Sequence, residues 1–206
     1  MTAAQRERAA LVKTMQATGP DAPTLCEGWT TKDLAAHLVV RERRLDAAPG
    51  IAIPFLAGYT DKVQRQTAAS TGFDELVDKV ASGPPLFSPF KVFDAVANMD
   101  EMFIHHEDVR RAQNGWEPRS LDADTLAALR RPLAVMARLT LGNVPARVRL
   151  QTPDGETVAV VGRGPELTVT GDVGELTLFV AGRDEALLTF SDAQAVAAVR
   201  EARRGL

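Results

Sequence analysis

The chain has 206 residues, 45% of them hydrophobic, with 24 Lys and Arg against 27 Asp and Glu: material for one large or two small domains, without the basic surplus of a nucleic-acid binder. That balance survives a cut after Leu141, with 17 basic and 18 acidic residues before it and 7 and 9 after it. No run approaches the roughly 18 unbroken apolar residues of a membrane span, the start MTAAQRERAALVK lacks an apolar export core, and one cysteine forms no internal disulfide; a cytoplasmic monomer or homodimer that binds neither membrane nor nucleic acid is expected.

Helical spacing dominates up to Gly142. Residues 3–18 place Ala9, Leu11, Val12 and Met15 on one face, and Gly19-Pro20 stops them. A turn-rich connection from Asp21 to Trp29 leads to Thr30, an N-cap whose partner Asp33 lies three residues on. The helix that follows runs to Ala48 and ends at Pro49-Gly50; a third covers Pro54 to Ala69, and a short one, Gly72 to Ala81, stops at Gly83-Pro84-Pro85. The longest runs from Ser88-Pro89 to Asn114-Gly115, with proline in a tolerated first-turn position. A last one covers Asp122 to Leu141, and Pro132 is expected to bend it or split off its first turns.

Past Gly142 the pattern changes. Residues 146–152 and 156–162 alternate apolar and polar around a Pro153-Asp154-Gly155 turn, and 167–171 reads as a third strand. Helical spacing returns over 172–183, a strand over 186–190, and a terminal helix after Ser191 as its cap. The expected fold class is α+β: an antiparallel helical bundle over residues 1–142 and a small α+β domain over 143–206.

Histidine occurs only at 37, 105 and 106. Phe90, Phe93, Ala97, Glu101, Ile104, His105, Asp108 and Ala112 share one helical arc roughly 120° wide. A carboxylate and an imidazole one turn apart on a core-facing arc need partners, because burying them unpaired costs several kcal/mol. A divalent metal meets that need, with His37 as the third ligand and Asp108 fixing the tautomer of His105. An ordinary intrahelical Glu101–His105 pair, with His37 hydrogen-bonded in the core, meets it equally. Cys26 reads as a small buried hydrophobe rather than a nucleophile, and Trp29 as a staple against the bundle or a wall of a site. Arg41, Arg43, Arg44, Arg110 and Arg111 read either as solvated helix faces or as partners for a substrate carboxylate. Arg183 ties the small domain internally or to the bundle.

The run Glu27-Gly28-Trp29-Thr30-Thr31-Lys32-Asp33-Leu34-Ala35-Ala36-His37-Leu38 resembles the start of the second helix in the mycothiol-dependent maleylpyruvate isomerase family, within the DinB-like superfamily. The later Glu101-x-x-x-His105-His106-Glu107-Asp108 is similar to that family's second ligand motif, and Ile104 to Ala112 looks like an actinobacterial subgroup described only as metal-binding. Thr170-Gly171-Asp172 through Glu175-Leu176 to Ala181-Gly182-Arg183 resembles the signature of its sterol-carrier-like C-terminal domain. The resemblance implies metal ligands at His37, Glu101 and His105, a zinc ion (or nickel, iron or manganese), and mycothiol as cosubstrate. It implies a transferase or isomerase in which the metal activates a thiolate toward an electrophilic small molecule, with Arg44, Arg110 and Arg111 as substrate-binding candidates. The sequence departs from the isomerases at Glu107, where they carry Trp. The other readings are a non-catalytic metal-binding or thiol-sensing protein, and a ligand carrier without metal.

Overall fold

The computed structural model describes residues 1–51, 53–85 and 99–204. It divides into two compact units, Met1–Glu117 and Pro118–Leu206. Among the described residues it is an α+β protein of eight α-helices and one four-stranded sheet.

The first unit is helical: α1 (Ala3–Thr18), α2 (Thr31–Arg43), α3 (Pro54–Ser70), α4 (Phe73–Ser82) and α5 (Met99–Arg111), with a 3-10 turn at Ala48–Ile51. Local chemistry explains the starts. Thr2 with Gln5, and Thr30 with Asp33, form reciprocal capping boxes that satisfy amides left over at a helix N-terminus. Helix α2 stops at Arg43, short of the expected Ala48, where Arg44 turns its guanidinium onto Asp46 and the 3-10 turn takes over. The expected beginning of the longest helix, at 88–98, lies outside the described residues.

Leu11 and Met15 of α1, Leu34 and Leu38 of α2, Leu76, Val77 and Val80 of α4, and Met102 and Val109 of α5 form one apolar core. The helix α5 is buried on nearly every side, from Met99 through Val109 apart from Asp100 and Glu101. It is thus an interior helix, and a single core-facing arc understates it.

The second unit contains α6 (Ala123–Leu141), β1 (Arg147–Gln151), β2 (Thr157–Gly162), β3 (Glu166–Thr170), α7 (Val173–Val180), β4 (Thr189–Phe190) and α8 (Ala193–Arg204). Helix α6, capped by Asp122 on the Thr125 amide, packs on α7 and β2. The division therefore falls ahead of this helix rather than at 142/143, where the residue pattern changes. The helix also runs on through Pro132 instead of splitting there.

The sheet order is β2-β1-β3-β4, with β1 antiparallel to β2 and parallel to β3. The three residues after β2 must therefore cross the end of β1. Gly162, the last residue of β2, turns the chain into that crossing with φ +78°, and a Cβ there would lie 2.2 Å from the Ala146 carbonyl oxygen. The last strand is shorter than expected, since the Leu187 amide goes to the Glu175 carboxylate at 2.8 Å rather than to a neighbouring strand. Asp192, not Ser191, caps α8, accepting from the amides of Gln194 and Ala195; Ser191 accepts from Thr168 on β3. Arg183 donates to the Ala181 carbonyl within its own unit. No described helix is long and apolar enough to cross a membrane.

Gly162→Ala should lower the stability of the sheet unit by about 2–4 kcal/mol, the sum of a left-handed backbone and a steric clash. Urea unfolding followed by circular dichroism checks this, and an unchanged midpoint contradicts the crossing argument.

Candidate metal centre

The capping box at Thr30 starts α2 so that His37 falls two turns in, on its buried side. Glu101 lies in the first turn of α5 and His105 one turn later. The two helices bring one ligand atom from each of the three side chains within 4.8 Å of the others. Nε2 of His105 lies 3.2 Å from Glu101 Oε1, and Nε2 of His37 lies 3.5 Å from the same oxygen. The two imidazole rings meet edge to face at 5.3 Å.

The opposite edge of each ring is held. His105 Nδ1 lies 2.9 Å from Asp108 Oδ2, and His37 Nδ1 lies 3.2 Å from Gln64 Oε1. Both partners are acceptors, so each Nδ1 carries the proton in the neutral ring and each Nε2 presents a lone pair. Two lone pairs and a carboxylate oxygen facing one another repel unless positive charge lies between them. Either extra protons or a cation provides it, and a donor set of two imidazoles and one carboxylate suits a divalent cation.

The ionisation of the cluster shows the same pull. Burial raises the pKa of Glu101, but hydrogen bonds with His105 and His37 and the charges of His105 and Arg41 outweigh it, holding the carboxyl well below its usual range. Burial lowers the pKa of His105, but bonds to Asp108, Cys26 and Glu101 outweigh it, holding the imidazole well above its ordinary value.

Asp108 stands beside His105, as the spacing leads one to expect. His106 turns to α1, where Glu7 Oε1 and Thr14 Oγ1 take its two ring nitrogens at 2.7 and 2.8 Å. Arg44 pairs with Asp46, which also accepts from Tyr59. Arg110 bonds Glu107 and the Glu117 carbonyl, while Arg111 bonds Glu107 and stacks 4.5 Å from the Trp116 ring. The guanidinium at the cluster is Arg41, whose Nε lies 3.2 Å from Glu101 Oε1. Arg43 reaches the carbonyls of Lys79 and Gly83.

Cys26 and Gln64 are the residues that spacing alone does not reveal. Cys26 is half-buried and donates its S–H to Asp108 Oδ2 at 3.2 Å, and it forms a second donor group with His105 and Asp108. Trp29 is both staple and wall: it packs on the core, and its ring lies 5.1 Å from that of His37. Trp29 and Gln64 also line an open cavity of about 340 Å³ with Glu27, Gly28, Asp33 and Arg65, a lining that includes none of the three candidate ligands.

No family model and no curated protein matches the sequence. Among solved structures, the fold is that of the crystal structure of the mycothiol-dependent maleylpyruvate isomerase, with a TM-score of 0.60 at 15% identity. A histidine-to-alanine mutant of that enzyme gives 0.61 at 14%. Each comparison covers 92% of this chain and 90% of the other. At such identity the likeness is one of fold.

The coupled Glu101–His105 pair sets a pH window for the metal-free protein. A raised imidazole pKa contributes stability that is fully present below about 6.5 and is lost as pH rises through the folded value. The depressed carboxyl contributes above about 4.3 and is lost as pH falls through its folded value. Melting temperature in chelator should form a plateau between these limbs, and Asp108→Asn should draw in the alkaline limb. An alkaline limb indifferent to that change would contradict the assignment.

Proposed function

We propose that this chain is a divalent-metal enzyme that uses a low-molecular-weight thiol, mycothiol by analogy with the isomerase whose fold it shares, against an electrophilic small molecule. In this reading the first unit is DinB-like, the second is sterol-carrier-like, and His37, Glu101 and His105 hold the ion. The observation that carries it is the convergence of three donor atoms within 4.8 Å, each histidine held by its other nitrogen. Zinc suits two imidazoles and a carboxylate, and nickel, iron or manganese accept them too. Three protein donors are one short of a closed structural site, which leaves room for an outside ligand.

A divalent ion there would stabilise the thiolate of a thiol whose free pKa is about 8.5, giving a nucleophile at neutral pH. The chain's own residues do the rest. Asp108 and Gln64 fix the two ring tautomers, so the same nitrogens face the ligand point throughout. Hydrogen bonds with His105 and His37, with the charges of His105 and Arg41, keep Glu101 ionised, and the Arg41 guanidinium 3.2 Å from it favours an anionic group close by. Addition of the thiol forms one carbon–sulfur bond at the expense of the S–H bond and of the electrophile's C=C π bond or ring C–O bond, the proton passing to the carbon or oxygen left with the electron pair. An isomerase expels the thiolate again with re-formation of the double bond, and a transferase retains the carbon–sulfur bond.

Elemental analysis of protein purified without metal-affinity steps should find about one divalent ion per chain, and His37→Ala and Glu101→Ala should each weaken retention at least tenfold. Retention by either variant removes that residue from the set. Chelation should lower the melting temperature, since a ligand at a hundred times its Kd contributes about 2.7 kcal/mol. Metal without thiol-dependent turnover of alkenes or epoxides favours a binding or sensing role; no metal at all leaves a ligand carrier.

A further inference from the structure

We infer that Gln64 is a positioning residue that sets the strength of the metal site by making His37 the weaker of the two imidazole donors. This rests on the metal reading above. Gln64 is 7% exposed and lies on α3, a helix that contributes none of the three ligands. Its seat is firm. Val63 packs with Val40 and Ala47, Thr60 one turn earlier donates to the Ala47 carbonyl, and Ala68 one turn later joins the main core. The side-chain oxygen therefore meets His37 Nδ1 from a rigid support, at 3.2 Å.

The asymmetry between the two histidines carries the inference. His105 gives its Nδ1 proton to a fully buried carboxylate at 2.9 Å, whereas His37 gives its own to a neutral amide over a longer distance. A charged acceptor draws more strongly on the N–H and raises the electron density at the other nitrogen. His105 is thus the anchoring donor and His37 the looser one, so the acceptor at position 64 tunes how tightly the ion is held.

Titration of the full-length, metal-free chain with cobalt(II), read by visible absorption, tests this. Gln64→Met should weaken cobalt binding about 10–100-fold and also lower the metal-free melting temperature, because the buried His37 N–H loses its acceptor. Gln64→Glu, which supplies a charged acceptor of the same length, should bind more tightly than the unsubstituted chain. Opposite shifts from two replacements of one side chain are not expected of a residue that merely fills space. Gln64→Met matching the unsubstituted chain overturns the inference, and should that variant not fold, Gln64→Glu decides, with equal or weaker binding overturning it. Failure of the unsubstituted chain to take up cobalt overturns the metal reading itself and this inference with it.

Discussion

Four consecutive ionisable side chains buried on one helix, His105 to Asp108, set the terms on which the helical unit assembles. Each would cost several kcal/mol if buried without a partner. Successive residues turn by about 100°, so each must find its partner in a different direction. His105 turns to Glu101 and His37, and His106 to Glu7 and Thr14 on α1. Glu107 takes Arg110 and Arg111, and Asp108 takes His105 and the Cys26 thiol. The connection before α2 is tied to the same place, its Leu25 amide donating to the Asp108 carbonyl at 3.0 Å. A slip of α5 by one residue would leave the pairs within the helix intact but break those to His37, Glu7, Thr14, Cys26 and Leu25 at once. The polar groups therefore act as a register for the helix as well as the material of a site.

Much of this architecture is legible in the residues because it rests on local chemistry. The Thr30–Asp33 box, the Gly-Pro stop after α1 and the alternation over β1 and β2 each act within a few residues. The elements the sequence reads differently depend on distant partners. The stretch 44–48 leaves α2 where α3 takes hold of it, Tyr59 donating to Asp46 and Thr60 to the Ala47 carbonyl, and β4 is cut short because Glu175 claims the Leu187 amide. Periodicity cannot reveal which unit α6 joins, since an apolar face fits a sheet and a bundle equally.

The site divides the same way. His37, Glu101 and His105 stand out through the scarcity of histidine and one-turn spacing, and the structure brings them together. Gln64 and Cys26 carry no such signal. A glutamine on a helix whose neighbouring positions are Val63 and Ala68 is a polar interruption of an apolar stripe, which shows that it needs a partner without showing which. Arg41 is one of several arginines in its run, and only the direction of α2 distinguishes it from Arg43 and Arg44, which bond elsewhere.

The glutamate at 107, where the sequence departs from the isomerases it resembles, has a physical consequence that does not touch the contact between Glu101 and His105. Glu107 is 1% exposed and rotated away from the Glu101–His105 edge of α5. Its carboxylate holds Arg110 and Arg111, and Arg111 lies over the Trp116 ring. A tryptophan at position 107 would fill that interior space without charge and leave both guanidiniums to find other partners. With glutamate there, both guanidiniums are engaged by the protein's own carboxylate. The positive charge left beside the cluster is that of Arg41, and it is already engaged with Glu101. The placement of arginines around the cluster therefore depends on the residue at 107: glutamate draws Arg110 and Arg111 to itself, while Arg41 stands beside Glu101.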